Sequence, residues 1–175
     1  MLEIIKLPIV VGISLFFSAF GSSAFDVDGF RSGMTRNQVI ARAQEMGLES
    51  REGHLKNLEI GRFSENRVDG RFAFCPSDST LVWYDREIDF DNEFVATLQS
   101  FIEKYGQPNR VETTKIPWLG QGGGSSHHAY FTWDTNEDKI SLRLTPLGRD
   151  GKGEIKYDRG SSVSYFPKNP CSKNF

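Results

Sequence analysis

The sequence lacks any run of lysine or arginine residues. Its 21 basic and 23 acidic residues are scattered along 175 positions, and the formal net charge is −2. Nucleic acids and acidic membrane surfaces are bound by clustered basic side chains. The composition therefore gives no support for a nucleic acid as the partner.

Recognised motifs of catalysis and cofactor binding are also missing. No G-x-S-x-G nucleophile elbow occurs, and Gly122–Gly124 lack the Lys-Ser/Thr pair of a phosphate-binding loop. Asp85 and Glu87 form one carboxylate pair, and Asp89 and Asp91 form another. Acids cluster in this way on any solvated turn, so we do not assign these pairs to glycosidic chemistry. We expect a protein that is not an enzyme and that uses no cofactor.

Histidine is rare, and its spacing does not favour a metal site. His127 and His128 are neighbours in a predicted strand, so their side chains are expected to point to opposite faces of the sheet. His54 has no acid or cysteine at a recognised ligand spacing. The acidic segment 134–139 lacks the glycine and glutamate of a calcium loop. The sequence predicts no metal ligands.

Long apolar runs are absent except near the beginning of the chain. A largely apolar segment, Leu7–Phe20, follows a weakly basic start and precedes several small residues. This layout predicts a secretory signal peptide over residues 1–24, cleaved after Ala24 or alternatively after Gly21. The segment is shorter than the ~20 apolar residues of a membrane span, and no cysteine near the junction could carry a lipid. We expect a periplasmic or secreted protein without a stable membrane anchor.

Only two cysteines occur, Cys75 and Cys171. In an oxidising compartment such a pair is expected to form one disulfide. A metal pair and a catalytic thiol are the competing interpretations. Neither finds support, because no third cysteine and no histidine lies close to either residue in the sequence.

The best-organised stretch is "FRSGMTRNQVIARAQEMG", residues 30–47. Thr35 is a suitable N-cap, and Gln38 completes a capping box three residues later. Val39, Ala43 and Met46, with Ile40 beside them, follow the helical period and give an apolar stripe. Gly47 stands where a helix ends with a positive φ angle. The stretch therefore predicts a helix, and each of its conspicuous residues has a role in folding.

A second helix is predicted on the same plan. Asp91 is the expected cap, and Gly106 and Pro108 end the helix in "FIEKYGQP". Its expected apolar face comprises Phe94, Leu98, Phe101, Ile102 and Tyr105.

Segments with a period of two residues follow each helix and predict strands. They are residues 58–63, 71–75 and 81–84 after the first helix, and 110–116, 127–133, 139–145, 154–157 and 162–166 after the second. This order predicts an α+β fold, an antiparallel sheet with two helices on one face, in a single domain over residues 25–175. Equivalent glycines after the two helices raise the hypothesis of a divergent tandem repeat with subunits 25–88 and 89–175.

The loop "PWLGQGGGSSHHAYFTW", residues 117–133, carries the candidate partner-binding residues. These are Trp118, His127 and His128. A long connection between strands is the simplest interpretation. An exposed aromatic anchor such as Trp118 would instead favour a binding loop.

The segment "GFRSGMTRNQVIARAQEMG" resembles the first-helix motif G-x-x-x-G-M-T-x-x-[EQ]-V of small exported bacterial proteins. These include outer-membrane assembly lipoproteins and β-lactamase-inhibitor-like domains. "FIEKYGQP" is similar to the end of the second helix in periplasmic proteins of that kind. The resemblance covers about forty residues and implies a helix-on-sheet binding module. The matching positions are structural, so no functional residue is transferred.

The sequence thus favours an exported, non-enzymatic protein that binds a protein or another component of the cell envelope. Inhibition of an extracytoplasmic enzyme, or immunity against one, is a concrete version of this hypothesis. The alternative is a small-ligand carrier or enzyme with a pocket near the loop 117–133, beside Trp118, His127 and His128.

Overall fold

The computed structural model describes residues 25–117, 124–145, 148–150, 155–157, 160–169 and 171. The predicted signal peptide and Trp118 lie outside these residues. The helices are α1 (Arg36–Glu45) and α2 (Phe94–Tyr105), with short 3₁₀ turns at His54–Lys56 and Phe63–Glu65. The strands are β1 (Asp26–Val27), β2 (Phe30–Arg31), β3 (Glu49–Glu52), β4 (Leu58–Arg62), β5 (Arg67–Phe74), β6 (Leu81–Ile88), β7 (Arg110–Pro117), β8 (Gly124–Asp134), β9 (Asp138–Thr145), β10 (Gly148–Asp150), β11 (Ile155–Tyr157) and β12 (Gly160–Pro167).

Helix α1 begins as the sequence predicts. The Thr35 backbone N–H donates to Gln38 Oε1 at 2.8 Å, and the Gln38 N–H donates to Thr35 Oγ1 at 3.4 Å. This reciprocal pair is the predicted capping box. Val39 and Ala43 are buried, and Gly47 has a φ of 72° just after the helix. The predicted cap and helix end are confirmed. The predicted apolar stripe is confirmed at Val39 and Ala43 but is wrong at Met46, which follows the last helical residue and is 41% exposed.

Helix α2 begins differently from the prediction. Its first flanking residue is Glu93, whose side chain makes no capping hydrogen bond, so the prediction of Asp91 as the cap is wrong. Asp89 instead accepts the backbone N–H groups of Asn92 and Asp91 at 3.0 and 2.9 Å. These bonds, foremost the one from Asn92, lower the pKa of Asp89. The helix ends at Gly106 with a φ of 80°, as predicted.

The sheet is antiparallel throughout, which confirms the predicted α+β class, although strands dominate over helices. Its strands lie in the order β7-β8-β9-β12-β6-β5-β4-β3. The short strands β10 and β11 extend the hairpin of β9 and β12, because β10 pairs with β8 beyond the end of β9. Strands β1 and β2 form a separate hairpin.

Strand β3 was not predicted, so four strands and not three follow α1. Its sequence, Glu-Ser-Arg-Glu, contains no apolar residue and therefore shows no alternation. It lies at the edge of the sheet and pairs only with β4 among the described strands. An edge strand can be polar because its position exposes it to water.

The core lies on one face of the sheet. A single row of six buried side chains crosses six strands in register: Leu58, Phe72, Tyr84, Tyr165, Ile140 and Trp133. Helix α2 packs against this face, with the Phe101 ring edge-on to Trp133 at 5.4 Å. Helix α1 approaches its other end, where the guanidinium of Arg36 lies 3.7 Å from the carboxylate of Glu52.

We name the opposite surface of the sheet the open face. Register places eight residues in a row across it: Arg51, Glu59, Arg71, Asp85, Ser164, Ser141, Thr132 and Arg110. The contacts of both helices, α1 and α2, lie on the other face. The open face therefore presents polar side chains that no helix of the described residues covers.

The disulfide joins the segment after β5 to the segment after β12. Cys75, directly after β5, is paired with Cys171; their Cα atoms are 5.5 Å apart, and the two residues are separated by 96 in the sequence numbering. This is the pairing expected from the sequence. Within the described residues, neither helix is long and apolar enough to cross a membrane.

Candidate functional site

The open face contains a depression at its centre, where β6 and β12 pair. Its volume is about 430 Å³. Its lining includes Arg71, Trp83, Asp85, Tyr130, Arg143 and Phe166. They come from five strands, so the depression exists only once the whole sheet is formed.

One side of the depression is a compact ionic cluster around Arg71. Its guanidinium lies 2.6 Å from Glu87 and 3.6 Å from both Asp85 and Glu59. Burial opposes the charge of this group, but the three carboxylates outweigh burial and raise the pKa of Arg71. Asp85 is only 4% exposed and also accepts the Ser164 hydroxyl at 2.5 Å. Every charge in this cluster has an internal partner.

The other side of the depression is built around Arg143, whose neighbours across the sheet, unlike those of Arg71, carry no charge. Its neighbours across the sheet are Tyr130 on β8 and Ser162 on β12. No described carboxylate lies within ion-pair distance of Arg143, and its buried Nε–H has no acceptor among the described residues. Ser162 is fully buried, and its Oγ also has no partner there.

An aromatic edge adds a third unsatisfied group. The rings of Trp83 and Phe166 lie with their centroids 6.4 Å apart. The indole N–H of Trp83 is buried and has no acceptor among the described residues. Buried N–H and O–H groups are normally hydrogen-bonded, and leaving one without a partner costs about 1–3 kcal/mol. Two of the three groups, those of Arg143 and Trp83, belong to residues that line the depression, and both can donate to a hydrogen-bond acceptor there.

His128 lies at the border of this side and is held by two hydroxyls. Its Nε2 is 2.8 Å from Ser126 Oγ, and its Nδ1 is 3.0 Å from Thr145 Oγ1. The ring stacks on Tyr130 with a centroid distance of 6.2 Å. Burial, and then the charge of Arg143, lower the pKa of His128, so the imidazole is neutral at pH 7. Ser126 is only 6% exposed, so its hydroxyl orients the ring and is not presented to a substrate.

The predicted site residues are not brought together. His127 is exposed and points away from His128, since successive residues of β8 alternate between faces. His128 reaches the depression only through its stacking on Tyr130. Trp118 lies outside the described residues. Among those that are described, no group of three or more His, Cys, Asp and Glu side chains is arranged to hold a metal ion.

The interpretation of Asp85 and Glu87 as acids of a solvated turn is wrong. Both residues lie within β6, and both carboxylates contact Arg71. The second pair, Asp89 and Asp91, does lie in the turn before α2. The difference follows from the length of β6, which continues to Ile88 and not only to Tyr84 as predicted.

Sequence reasoning missed the residues that matter most here, namely Arg71, Trp83, Arg143 and Ser162. A signal was present, because Arg71 and Arg143 each lie next to a buried apolar residue, Phe72 and Leu142 respectively, in a strand with alternating character. Alternation places them on the polar face. It does not reveal which side chains stand opposite them, and that decides whether an arginine is neutralised.

Comparison of the chain with protein-family models, with curated proteins and with solved structures gave no match.

Proposed function

We propose that this chain is an exported, non-enzymatic protein that binds a partner protein through the open face of its sheet. The observation that carries the proposal is the central depression, where the Arg143 Nε–H and the Trp83 indole N–H have no acceptor among the described residues. Trp, Tyr and Arg are the residues that most often dominate binding energy at protein interfaces. Trp83, Tyr130 and Arg143 supply all three types around one depression.

Export is part of the same proposal. The predicted signal peptide motivates it, and the Cys75–Cys171 disulfide fits a protein that folds in an oxidising compartment. Capture of an extracytoplasmic enzyme by the open face, as an inhibitor or an immunity protein, is the version that the resemblance to exported inhibitor-like proteins favours.

We also propose that the single domain arose by tandem duplication. Helix α1 is followed by the meander β3 to β6, and α2 is followed by β7, β8, β9 and β12. The last strands of the two halves pair antiparallel, with Arg86 opposite Val163 at the middle of the register. This arrangement relates subunits 25–88 and 89–175 by an approximate two-fold axis through the open face.

The proposal is tested by capture from an envelope extract. The chain, tagged at its C-terminus and produced with its own leader in a Gram-negative bacterium, serves as bait after its mass has been measured. We expect loss of residues 1–24 and a specific partner that is recovered by the wild type. Arg143→Glu should abolish recovery, whereas Lys104→Glu, the same charge change on exposed α2, should not.

Two results would count against this function. One is repeated failure to enrich any specific protein. The other is a partner that is lost with Lys104→Glu but retained with Arg143→Glu, since it would bind the helical side of the molecule.

A small-ligand carrier is the second candidate. The depression has a volume of about 430 Å³, which falls in the range of small-molecule sites. Tyr130, from the predicted loop region 117–133, lines it. A partner protein is favoured because the depression lies at the centre of a broad sheet face and is not an enclosed cavity between layers. Binding of a free small molecule with no protein captured would reverse this preference.

A further inference from the structure

The two arginines of the depression occupy matching places in the sheet. Arg71 lies on β5, next to the central strand β6, and Arg143 lies on β9, next to the central strand β12. Each therefore belongs to the third strand of its own meander. The approximate two-fold axis through the pair Arg86 and Val163 exchanges these two positions.

Their cross-strand neighbours differ in one respect, which is charge. Arg71 stands between Glu59 on β4 and Asp85 on β6. The corresponding neighbours of Arg143 are Tyr130 on β8 and Ser162 on β12. The same axis relates Glu87 to Ser164, because these residues stand opposite Ser162 and Asp85, respectively. Each of the three acids around Arg71 is thus replaced by a hydroxyl residue around Arg143.

This exchange places hydroxyl residues beside Arg143 where Arg71 has carboxylates. The Arg143 Nε–H and the Trp83 indole N–H can donate, and neither has an acceptor among the described residues. Ser162 is smaller than the aspartate at the matching position. A group that satisfies these donors must bring acceptor oxygens, and a carboxylate matches a guanidinium with two parallel hydrogen bonds.

We propose that the depression of the open face binds the carboxylate of an aspartate or glutamate side chain of the partner protein. The carboxylate oxygens accept from the guanidinium of Arg143 and from the hydroxyl of Tyr130, both of which line the depression. The indole N–H of Trp83 donates at the aromatic edge. The inference rests on the proposed function, since it names the group through which the partner is held.

Charge selects a carboxylate over a phosphate. Arg143 is one cation with no carboxylate of the described residues at ion-pair distance, and Asp85 and Glu87 lie on the adjacent side around Arg71. A phosphate monoester carries a charge of about −1.5 to −2 at neutral pH. It would leave an excess of negative charge beside those two acids, whereas a carboxylate balances Arg143 alone. The aromatic rings of Trp83 and Phe166 can pack against the apolar stem of the bound aspartate or glutamate side chain.

The experiment uses a small probe, so that it does not depend on finding the partner. The ¹⁵N-labelled chain is titrated with N-acetyl-glutamate N-methylamide, and in parallel with the neutral N-acetyl-glutamine N-methylamide. NMR follows the indole N–H of Trp83, assigned with Trp83→Phe, and the Nε–H of Arg143. We expect saturable shifts of both signals with the glutamate probe at millimolar concentration, and none that saturate with the glutamine probe.

Two variants with the same charge change provide the control. Arg143→Gln should weaken binding of the glutamate probe at least tenfold. Lys139→Gln, on the same strand and the same face but exposed, should change it less than about twofold. Folding of both variants is checked by their thermal transitions. Arg143→Lys keeps the charge but not the planar fork, so it should bind the probe with intermediate affinity.

The inference is overturned if no saturable shift occurs, if both probes behave alike, or if Arg143→Gln binds the glutamate probe as well as Lys139→Gln does. In each of these cases, capture of a partner that depends on the open face would still support the proposed function. Conversely, binding of the glutamate probe without any such capture assigns the site to a free carboxylate. That result overturns its assignment to a partner protein.

Discussion

The two halves of the open face each carry an arginine at matching places in the sheet, but the residues around the two arginines differ. Arg71, in the N-terminal half, is surrounded by Glu59, Asp85 and Glu87. Arg143, in the C-terminal half, has Tyr130 and Ser162 beside it and no described carboxylate within ion-pair distance. One arginine completes an internal network, whereas the other has hydrogen-bonding capacity left over.

This difference shows that an arginine on a sheet face has no fixed role. Its role is set by the residues opposite it on the two neighbouring strands. Where these are acids, the guanidinium stabilises the fold, and removing it leaves buried carboxylates uncompensated. Where they are hydroxyls, no ion pair with these neighbours holds the guanidinium, and we expect it to contribute less to the stability of the fold.

The largest effect is expected from the bond that ties the two halves together. Cys75 belongs to the N-terminal half and Cys171 follows the last strand of the C-terminal half. Replacing both with alanine should lower the free energy of unfolding by about 4–5 kcal/mol, because the unfolded chain loses a long closed loop. Urea denaturation followed by tryptophan fluorescence measures this change. Reduction of the wild type is the control, and a loss below about 1 kcal/mol would show that the β6–β12 pairing alone holds the halves together.

The next prediction compares the two arginines directly. Arg71→Met should lower the free energy of unfolding by about 3 kcal/mol, because Asp85 and its neighbours lose their shared cation. Arg143→Met should change it by less than about 1 kcal/mol, since no described ion pair is broken. Chemical denaturation of both variants measures the difference. The double variant Arg71→Met with Asp85→Asn should recover part of the loss, and equal effects of the two single variants would refute the comparison.

Asp138 is a buried acid that, unlike Asp85, makes no ion pair with an arginine of the described residues. Asp138 is 9% exposed, and burial, followed by the nearby charge of Glu137, raises its pKa from 3.8 to about 6. The protonated form therefore favours the folded state. Its contribution to stability is fully present below the unfolded-state pKa and is lost as the pH rises through about 6.

Asp138→Asn should accordingly stabilise the protein at pH 8 by about 1 kcal/mol relative to the wild type, and should remove this part of the pH dependence. Thermal unfolding at pH 4, 6 and 8 measures the effect. Glu137→Gln is the control, because it removes a charge that raises the pKa of Asp138 less than burial does. A wild type whose relative stability increased between pH 5 and 8 would contradict the prediction.

The smallest expected effect concerns the histidine beside Arg143. Burial and the charge of Arg143 lower the pKa of His128. Arg143→Gln removes the second cause, so the pKa of His128 should rise toward its ordinary value, and Arg71→Gln should leave it nearly unchanged. NMR titration of the ring protons measures both. If Arg143→Gln and Arg71→Gln raised the pKa of His128 by the same amount, the charge of Arg143 would not be a specific cause of its lowered pKa.

Local features of the fold could be predicted from the sequence because their causes lie close together in the chain. The capping box of Thr35 and Gln38 spans four residues, and Gly47 and Gly106 each adopt positive φ angles directly after a helix. Most strands were found by their alternation. Alternation does not predict strand β3, because this edge strand contains only polar residues. The prediction of Asp91 as the cap of α2 is wrong because Asp89, two residues earlier, is an equally suitable acceptor and takes the backbone N–H groups.

The candidate site could not be predicted in the same way. His127 and His128 are conspicuous in the sequence, but β8 separates them onto two faces. Arg71 and Arg143 are ordinary strand residues until the register is known. A shift of one residue in the pairing of β9 with β12 would place Arg143 opposite a different side chain and would change its environment completely.

The sequence by itself determined the helices, the alternation that separates a wet face from a buried one, and the expectation of one disulfide, since each follows from neighbouring residues or from composition. Only the tertiary structure decided that β6 and β12 meet at the centre, and that acids oppose Arg71 whereas hydroxyls oppose Arg143. Cross-strand neighbours are distant in the chain, and register, not local propensity, brings them together.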